Sequence, residues 1–178
     1  MTHNTVTNNY DTIYVLDYLN SDADDFYPTL NDDETKIYWS SNREGNFDIY
    51  STELDKTDDL LSDLLNSGEH HIVKNDDLSS DGDDKCPSIT NNILVFTSNR
   101  AGGYGGFDLY YSYFENGNWN EPVNFGSGIN SEHDEYRPIV RSNHWDFDND
   151  MMIFSSNRPG GKGGFDLYFV GIERKEEQ

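Results

Sequence analysis

Three groups of carboxylates stand at matching places in the chain: Asp22, Asp24 and Asp25 in "NSDADDFYP", Asp81, Asp83 and Asp84 in "SSDGDDKCP", and Glu132, Asp134 and Glu135 in "NSEHDEYRP". The strings align without a gap as [NS]-S-[DE]-x-D-[DE]-x-x-P. Clustered carboxylates near glycine carbonyls could bind Ca²⁺, a hard ion that takes six to eight oxygen ligands. Each box is followed by "SNR", whose arginines are Arg43, Arg100 and Arg158, with Asp48, Asp108 and Asp166 close behind. A guanidinium fork bonding carboxylates between neighbouring repeats would satisfy both charges and fix the turn. An arginine in the same shell argues against a cation. A structural clamp is therefore the expected chemistry, with Ca²⁺ at Asp24, Asp25, Asp83, Asp84, Asp134 and Glu135 as the alternative.

Other residue groups point to less. The runs "TSNRAGGYGGFD" and "SSNRPGGKGGFD" are glycine-rich, but Lys162 is followed by Gly163 where a phosphate loop needs Ser or Thr. Gly102, Gly103, Gly105, Gly106, Gly160, Gly161, Gly163 and Gly164 are expected to supply positive φ in tight turns. In "HWDFDND" the alternating Asp146, Asp148 and Asp150 start like an EF-hand, yet Met151 stands where its glycine belongs and Asn157 where its last glutamate belongs. A solvated loop is expected there. His70 and His71 fall on opposite faces of a presumed strand, and His133 and His144 in loops on opposite sides, so the spacing assembles no imidazole site and no Ser/His/Asp set. Cys86, alone in the chain, excludes an internal disulfide and reads as a packing thiol.

The elements that must position these groups are short strands. Ahead of each "SNR" lies a β-type run, "KIYWS", "ILVFT" or "MMIFS", and behind each turn lies another, "FDIYS", "FDLYY" or "FDLYF". Such runs, aromatic and branched and separated by Gly/Asn turns, predict antiparallel hairpins over 36–41 and 47–53, 92–97 and 107–114, and 151–155 and 165–171. The box prolines are expected to open a further strand, where a missing N–H is tolerated. An outermost strand follows in "HHIVK" from His70 and in "NWNEPVNF" from Asn118. The third repeat has none, because the chain runs out in "ERKEEQ". "TIYVLDYL" at 12–19 precedes the first box as "PVNFGSGI" precedes the third, so it is expected to be the missing strand, moved to the front.

The expected fold is therefore all-β: a β-propeller of three four-stranded blade repeats, at 20–78, 79–129 and 130–172, closed on the last blade by the N-terminal strand. Residues 55–69 break the repeat. Leu60, Leu61, Leu64 and Leu65 recur at helical spacing behind Thr57 as N-cap, with Asp58 and Asp59 in the first turn and Gly68 past the end, predicting a short helix inserted in the first blade. Its leucines are expected to cover the blade edge, or else to meet a second chain.

Composition narrows the partners. With 34 acidic against 12 basic residues and a net charge of −22, the chain would repel nucleic acid and anionic membrane surfaces. No 18-residue apolar run exists for membrane insertion, and the first residues lack the features of a secretion signal.

"SNRPGGKGGFDLY", the upstream acidic-x-x-Pro and "NW.EP.N.G..INS" together resemble the PD40 repeats of the WD40-like, TolB-type propeller family, in particular those accompanying OmpA-like envelope proteins of Bacteroidetes-like bacteria. The resemblance covers about residues 12–171. It implies four-stranded blades, protein-binding or envelope scaffolding roles with a minority of enzymes, and a periplasmic or envelope location. Propellers typically carry four to eight blades. Two chains of three would form a six-bladed homodimeric ring, which competes with a compact three-bladed monomer and with a piece of a longer protein. The expected function is a noncatalytic module that binds a protein or an envelope glycan through its loop face, with no cofactor unless Ca²⁺. The alternatives are a polysaccharide hydrolase or lyase on the same scaffold, and a Ca²⁺-dependent binding module.

Overall fold

The hairpins predicted from the sequence form, and they sort into three antiparallel sheets. The computed structural model describes residues 13–54, 60–65, 70–142 and 149–173. The first sheet holds β1 (Asp25–Leu30), β2 (Lys36–Ser41), β3 (Asp48–Glu53) and β4 (Val73–Lys74) in that order. In the second, β5 (Asp84–Thr90), β6 (Ile93–Ser98) and β7 (Asp108–Glu115) are followed by β8 (Asn118–Trp119) and β9 (Val123–Asn124), both paired to the outer edge of β7. The expected outer strand of that repeat is thus split where Pro122 removes a donor. Among the described residues the third sheet has β10 (Glu135–Arg141), β11 (Asn149–Ser156) and β12 (Asp166–Glu173) and no fourth strand. Asp150 is a buried residue of β11, so part of "HWDFDND" is strand and not loop, while His144, Asp146 and Asp148 lie outside the described residues.

The box prolines do not open their strands. Each innermost strand begins three residues earlier, and Pro28, Pro87 and Pro138 sit just past a bulge. Register shifts there between Phe26 and Thr29, Lys85 and Ser88, and Tyr136 and Ile139. Tyr27, Cys86 and Arg137, the residues before the prolines, have φ of 57°, 56° and 52°. A bulge accepts both a positive φ and a residue without an N–H, which is why the motif tolerates proline in mid-strand.

Alternation places the core between sheets. Tyr38 and Ile49 of the first sheet pack with Leu94, Phe96 and Tyr110 of the second. Ile93, Val95 and Leu109 on the opposite side of the second sheet pack with Val140, Met152 and Phe154 of the third. Burying each such side chain contributes about 1.5–3 kcal/mol. Neighbouring sheets are also tied directly, Cys86 N–H of β5 donating to Ser40 Oγ of β2 at 3.1 Å and Val140 N–H of β10 to Ser88 Oγ of β5 at 3.0 Å. β5 packs against both β1 and β10, whose backbones do not meet, so the three sheets form an open arc and not a closed ring.

Burial pushes the Cys86 thiol up to about 12. The folded protein is accordingly expected to leave a disulfide reagent such as DTNB unreacted and to release one equivalent of thiolate only on addition of denaturant; prompt reaction of the native chain would contradict that burial.

One expectation about the edges is corrected and one holds. Within one chain, residues 13–19 do not close the third sheet. They carry no strand, turn at Asp17–Leu19 through a bond from Leu19 N–H to the Leu16 carbonyl (2.9 Å), and lay Leu16, Tyr18 and Leu19 on the first sheet beside Ile37 and Trp39. Arg43 holds them there by donating to the Leu19 carbonyl at 2.7 Å. The inserted helix α1 (Leu60–Leu65) forms, and Leu60 and Leu64 cover the same cluster. Thr57, Asp58, Asp59 and Gly68 lie outside the described residues.

Candidate functional site

The loops before the innermost strands and the "SNR" turns converge at one end of all three sheets, and every residue of "SNR" has an assigned bond. The asparagine receives the box: the N–H groups of Asp24, Asp83 and Asp134 donate to Oδ1 of Asn42, Asn99 and Asn157 at 2.7–2.8 Å. The serine receives the arginine, whose Nε donates to Ser41, Ser98 or Ser156 at 2.9–3.1 Å. The arginine Nη2 then donates to the last acidic residue of the box: Arg43 to Asp25 at 2.7 Å, Arg100 to Asp84 at 2.7 Å, and Arg158 to Glu135 at 2.9 Å. It also donates to the carbonyl of Leu19, Leu78 or Ile129, residues of the preceding turn.

Each guanidinium lies between two aromatic rings. Arg43 sits 5.6 and 4.7 Å from the Trp39 and Tyr50 centroids, Arg100 5.1 and 4.9 Å from Phe96 and Tyr110, and Arg158 5.4 and 4.9 Å from Phe154 and Tyr168. The clamp thus joins cation–π stacking to a charge-assisted pair. Its aromatic residues and serines escaped the sequence reading, although both lie in the repeated strings, because strand periodicity alone says nothing about which ring stacks on which cation.

The geometry redistributes the acidic residues. The arginines meet Asp25, Asp84 and Glu135 of their own sheet and not Asp48, Asp108 or Asp166. Asp48 pairs instead with Lys74 Nζ at 2.7 Å, and its burial raises its carboxyl against the pull of that ammonium. Asp108 accepts the Tyr104 and Gly105 N–H groups at 2.6 and 3.0 Å, and Asp166 those of Lys162 and Gly163 at 2.9 and 3.1 Å, so these two cap their own turns. The middle box residue reaches back to the previous repeat: Asp83 Oδ1 accepts Phe47 N–H at 3.1 Å and Asp134 Oδ1 accepts Phe107 N–H at 3.0 Å. Beside those bonds Asp84 N–H donates to the Phe47 carbonyl at 2.6 Å, and Glu135 N–H to the Phe107 carbonyl at 2.7 Å.

With these partners engaged, the carboxylates of Asp25, Asp83, Asp84, Asp134 and Glu135 are bonded to protein donors while Asp24 is exposed, and among the described residues no three carboxylate, imidazole or thiol side chains converge as a metal site requires. His70 precedes β4 and stacks on Tyr18 at 3.9 Å, and His133 lies 3.8 Å from Glu132 in the box loop.

The turn glycines divide by role. Gly102 and Gly160, with φ of 91° and 98°, supply the left-handed conformation expected of the whole group. Gly103, Gly105, Gly106 and Gly161 do not; each is small because a Cβ would strike a neighbour, Asp108 for Gly103, the His133 carbonyl for Gly105, Asp134 for Gly106 and Asp166 for Gly161.

Burial opposes ionisation of Asp25, but the Ser21 N–H, the Ser41 and Ser21 hydroxyls and Arg43 outweigh it and hold the carboxyl at about 2. A depressed carboxyl adds stability that is complete above its unfolded value near 4 and lost as pH falls through the folded value. The Asp25 contribution is therefore expected to fade only between about pH 4 and pH 2. An NMR titration of the Asp25 side chain with its midpoint near 4 would overturn this.

A second feature went unnoticed in the sequence. At the opposite end of the axis a cavity of about 430 Å³ opens among Pro28, Pro87 and Pro138, with Asp32, Glu34 and Arg141 at its rim. Asp32 Oδ2 accepts Asn91 N–H at 2.6 Å and the Thr90 hydroxyl at 3.2 Å. Only the repetition of the box proline hinted that these positions share an axis.

The architecture has a solved counterpart. The crystal structure of TolB from Acinetobacter baumannii superposes with a TM-score of 0.53 over 86% of this chain, at 18% sequence identity. The fold is that of a TolB-like β-propeller. The chain spans 31% of the TolB chain it matches. No family model matches the sequence, and no curated protein does. In this TolB-like arc no helix among the described residues is long and apolar enough to cross a membrane.

Proposed function

We propose that the chain is a noncatalytic TolB-like propeller module that binds a protein partner through its box-and-turn face. The observation that carries this reading is the mutual saturation of the repeated polar groups. Arginines, serines, asparagines and two carboxylates per repeat are spent on holding the loops, and what remains pointing outward is a repeated display, not a unique reacting set. Asp22, Asp81 and Glu132 are the exposed first acids of the three boxes, and Tyr104 stands out beside them. Rigid loops carrying separated carboxylates and an aromatic suit a basic protein surface. A module of net charge −22 would approach such a surface with electrostatic steering.

The test is the triple charge reversal Asp22→Lys, Asp81→Lys, Glu132→Lys. Chemical cross-linking in the source cells should link lysine-rich proteins to the wild-type chain and lose them with the reversed one, while circular dichroism stays unchanged. Partners retained by the reversed chain would refute the face assignment, and enrichment of envelope polysaccharide in place of protein would replace the protein partner by a glycan.

One observation favours the enzymatic reading, the axial cavity with Asp32 and Glu34. Release of reducing ends or unsaturated products from envelope polysaccharide, abolished by Glu34→Gln, would establish it over the binding role.

A further inference from the structure

The third repeat carries an apolar face that no other repeat covers among the described residues. In the second sheet, Ile93, Val95, Leu109 and Tyr111 face the third sheet, and Leu109 is fully buried (0% exposed). By the pairing of Ser98 with Asp108 and of Ser156 with Asp166, the corresponding residues of the third sheet are Met151, Ile153, Leu167 and Phe169. These are equally apolar, yet Leu167 is 77% and Phe169 80% exposed. The turn repeats the pattern. Gly105 and Gly106 leave room for the following box, whereas their counterparts Gly163 and Gly164 meet no side chain or loop of another repeat. Phe47 and Phe107 exchange main-chain and carboxylate bonds with the next box, whereas Phe165, their counterpart, is exposed and receives no box among the described residues.

The first repeat presents the reciprocal half. Its box has Asp24 exposed where Asp83 and Asp134 reach back to the previous repeat. Leu19, Trp39 and Tyr50 are the counterparts of Ile129, Phe154 and Tyr168, which pack toward the second sheet. An apolar groove remains beside them, lined by Leu16, Leu19, Phe26, Ile37 and Trp39, while Leu60 and Leu64 of α1 pack on the same cluster. Ahead of the groove Ile13 and Val15 project into solvent, Ile13 94% exposed, at the place where β4 or β9 pairs with the preceding sheet.

The geometry points to a second copy of this chain as the missing neighbour: the open side of the third repeat receives the first repeat of its partner, and two such junctions close a six-bladed ring. The repeat sets the register. Asn75 N–H donates to the Ile49 carbonyl, and Asn75 accepts the turn bond from Leu78 just as Leu16 accepts it from Leu19. Leu16 N–H of the partner therefore donates to the Leu167 carbonyl, Val15 of the partner pairs with Tyr168, and Tyr14 of the partner pairs with Phe169. The partner's Asp24 accepts Phe165 N–H, and the partner's Asp25 N–H donates to the Phe165 carbonyl. A β-edge so completed loses its open row of main-chain donors and acceptors, and a heterologous contact that closes after two copies gives a discrete dimer. The inference does not depend on what the loop face binds.

Light scattering and sedimentation of the full chain test it. Wild type is expected at twice the 20.4 kDa chain mass across micromolar concentrations. Phe169→Glu, Gly163→Val and Val15→Pro should each lower the mass to that of one chain with unchanged circular dichroism, since all three sites are free of other repeats among the described residues. Mixing Phe169→Glu with Val15→Pro should restore the dimer mass in part, because one of the two junctions then joins intact surfaces. A single-chain mass for wild type at every concentration would overturn the inference. So would a dimer indifferent to Phe169→Glu and Gly163→Val, a dimer broken by Phe169→Glu but not by Val15→Pro, which would pair third sheets with each other, or a mass climbing without limit, which would mean an open fibre.

Discussion

Arg100→Met is expected to lower the stability of the chain by about 3–5 kcal/mol, the cost of leaving one member of a buried ion pair alone. The side chain of Asp84 is 0% exposed and that of Arg100 16%. Asp84 would keep the Ser80 N–H and hydroxyl, at 2.7 and 2.8 Å, but lose the cation at 2.7 Å. Methionine would still fill space between Phe96 and Tyr110, so the loss isolates the charge and the donors to Ser98 and the Leu78 carbonyl. Urea denaturation followed by fluorescence reads the effect as a shift in midpoint at constant slope. The double variant Arg100→Met, Asp84→Asn should recover a large part of the loss, because the remaining group is neutral. A single variant within about 1 kcal/mol of wild type would show that the clamp is a surface pair of little weight.

Gly105→Val is the second large effect, expected at about 1–3 kcal/mol, near the upper end, because overpacking against backbone cannot be relieved by a rotamer change. A Cβ there meets the carbonyl oxygens of His133 and Ser131, main-chain atoms of the following box. To make room the box must withdraw, which pulls Asp134 from Phe107 N–H and Glu135 N–H from the Phe107 carbonyl. The damage is thus in the seam between the second and third repeats, and protection of the Glu135 amide against hydrogen exchange should fall more than that of amides in β6. Gly128 is the control, having open space at its Cβ and no positive φ; Gly128→Val is expected within about 0.5 kcal/mol of wild type. Equal melting of Gly105→Val and wild type would mean that the two loops do not approach each other as described.

The strands and the repeat were legible in the chain itself. Alternating aromatic and branched residues between Gly/Asn turns specify β2, β3, β6, β7, β11 and β12 locally, since the side-chain period of a strand needs no distant partner. The gapless acidic boxes likewise placed three equivalent loops, each tied in the structure to the "SNR" turn of its own repeat.

Only the tertiary structure decided which charge meets which. Asp24 and Asp25 are neighbours in sequence, yet Asp25 turns inward to Arg43 while Asp24 stays outside, because successive residues along an extended chain point to opposite sides. Nothing in composition separates Asp48 from Asp25 as a partner for Arg43; the selection is made by the folded sheet, in which Asp25 of β1 lies beside the Arg43 turn and Lys74 of β4 takes Asp48. The same holds for the glycines. Gly102 and Gly103 look alike in the string, but one is needed for its φ and the other for the nearness of Asp108, a distance that exists only after the turn has folded. The segment 13–19 was expected from its place before the first box to be an outer strand, and within one chain it carries none. The third sheet ends without it, because Arg43 and the apolar face of the first sheet hold Leu16 and Leu19 at the other end of the arc.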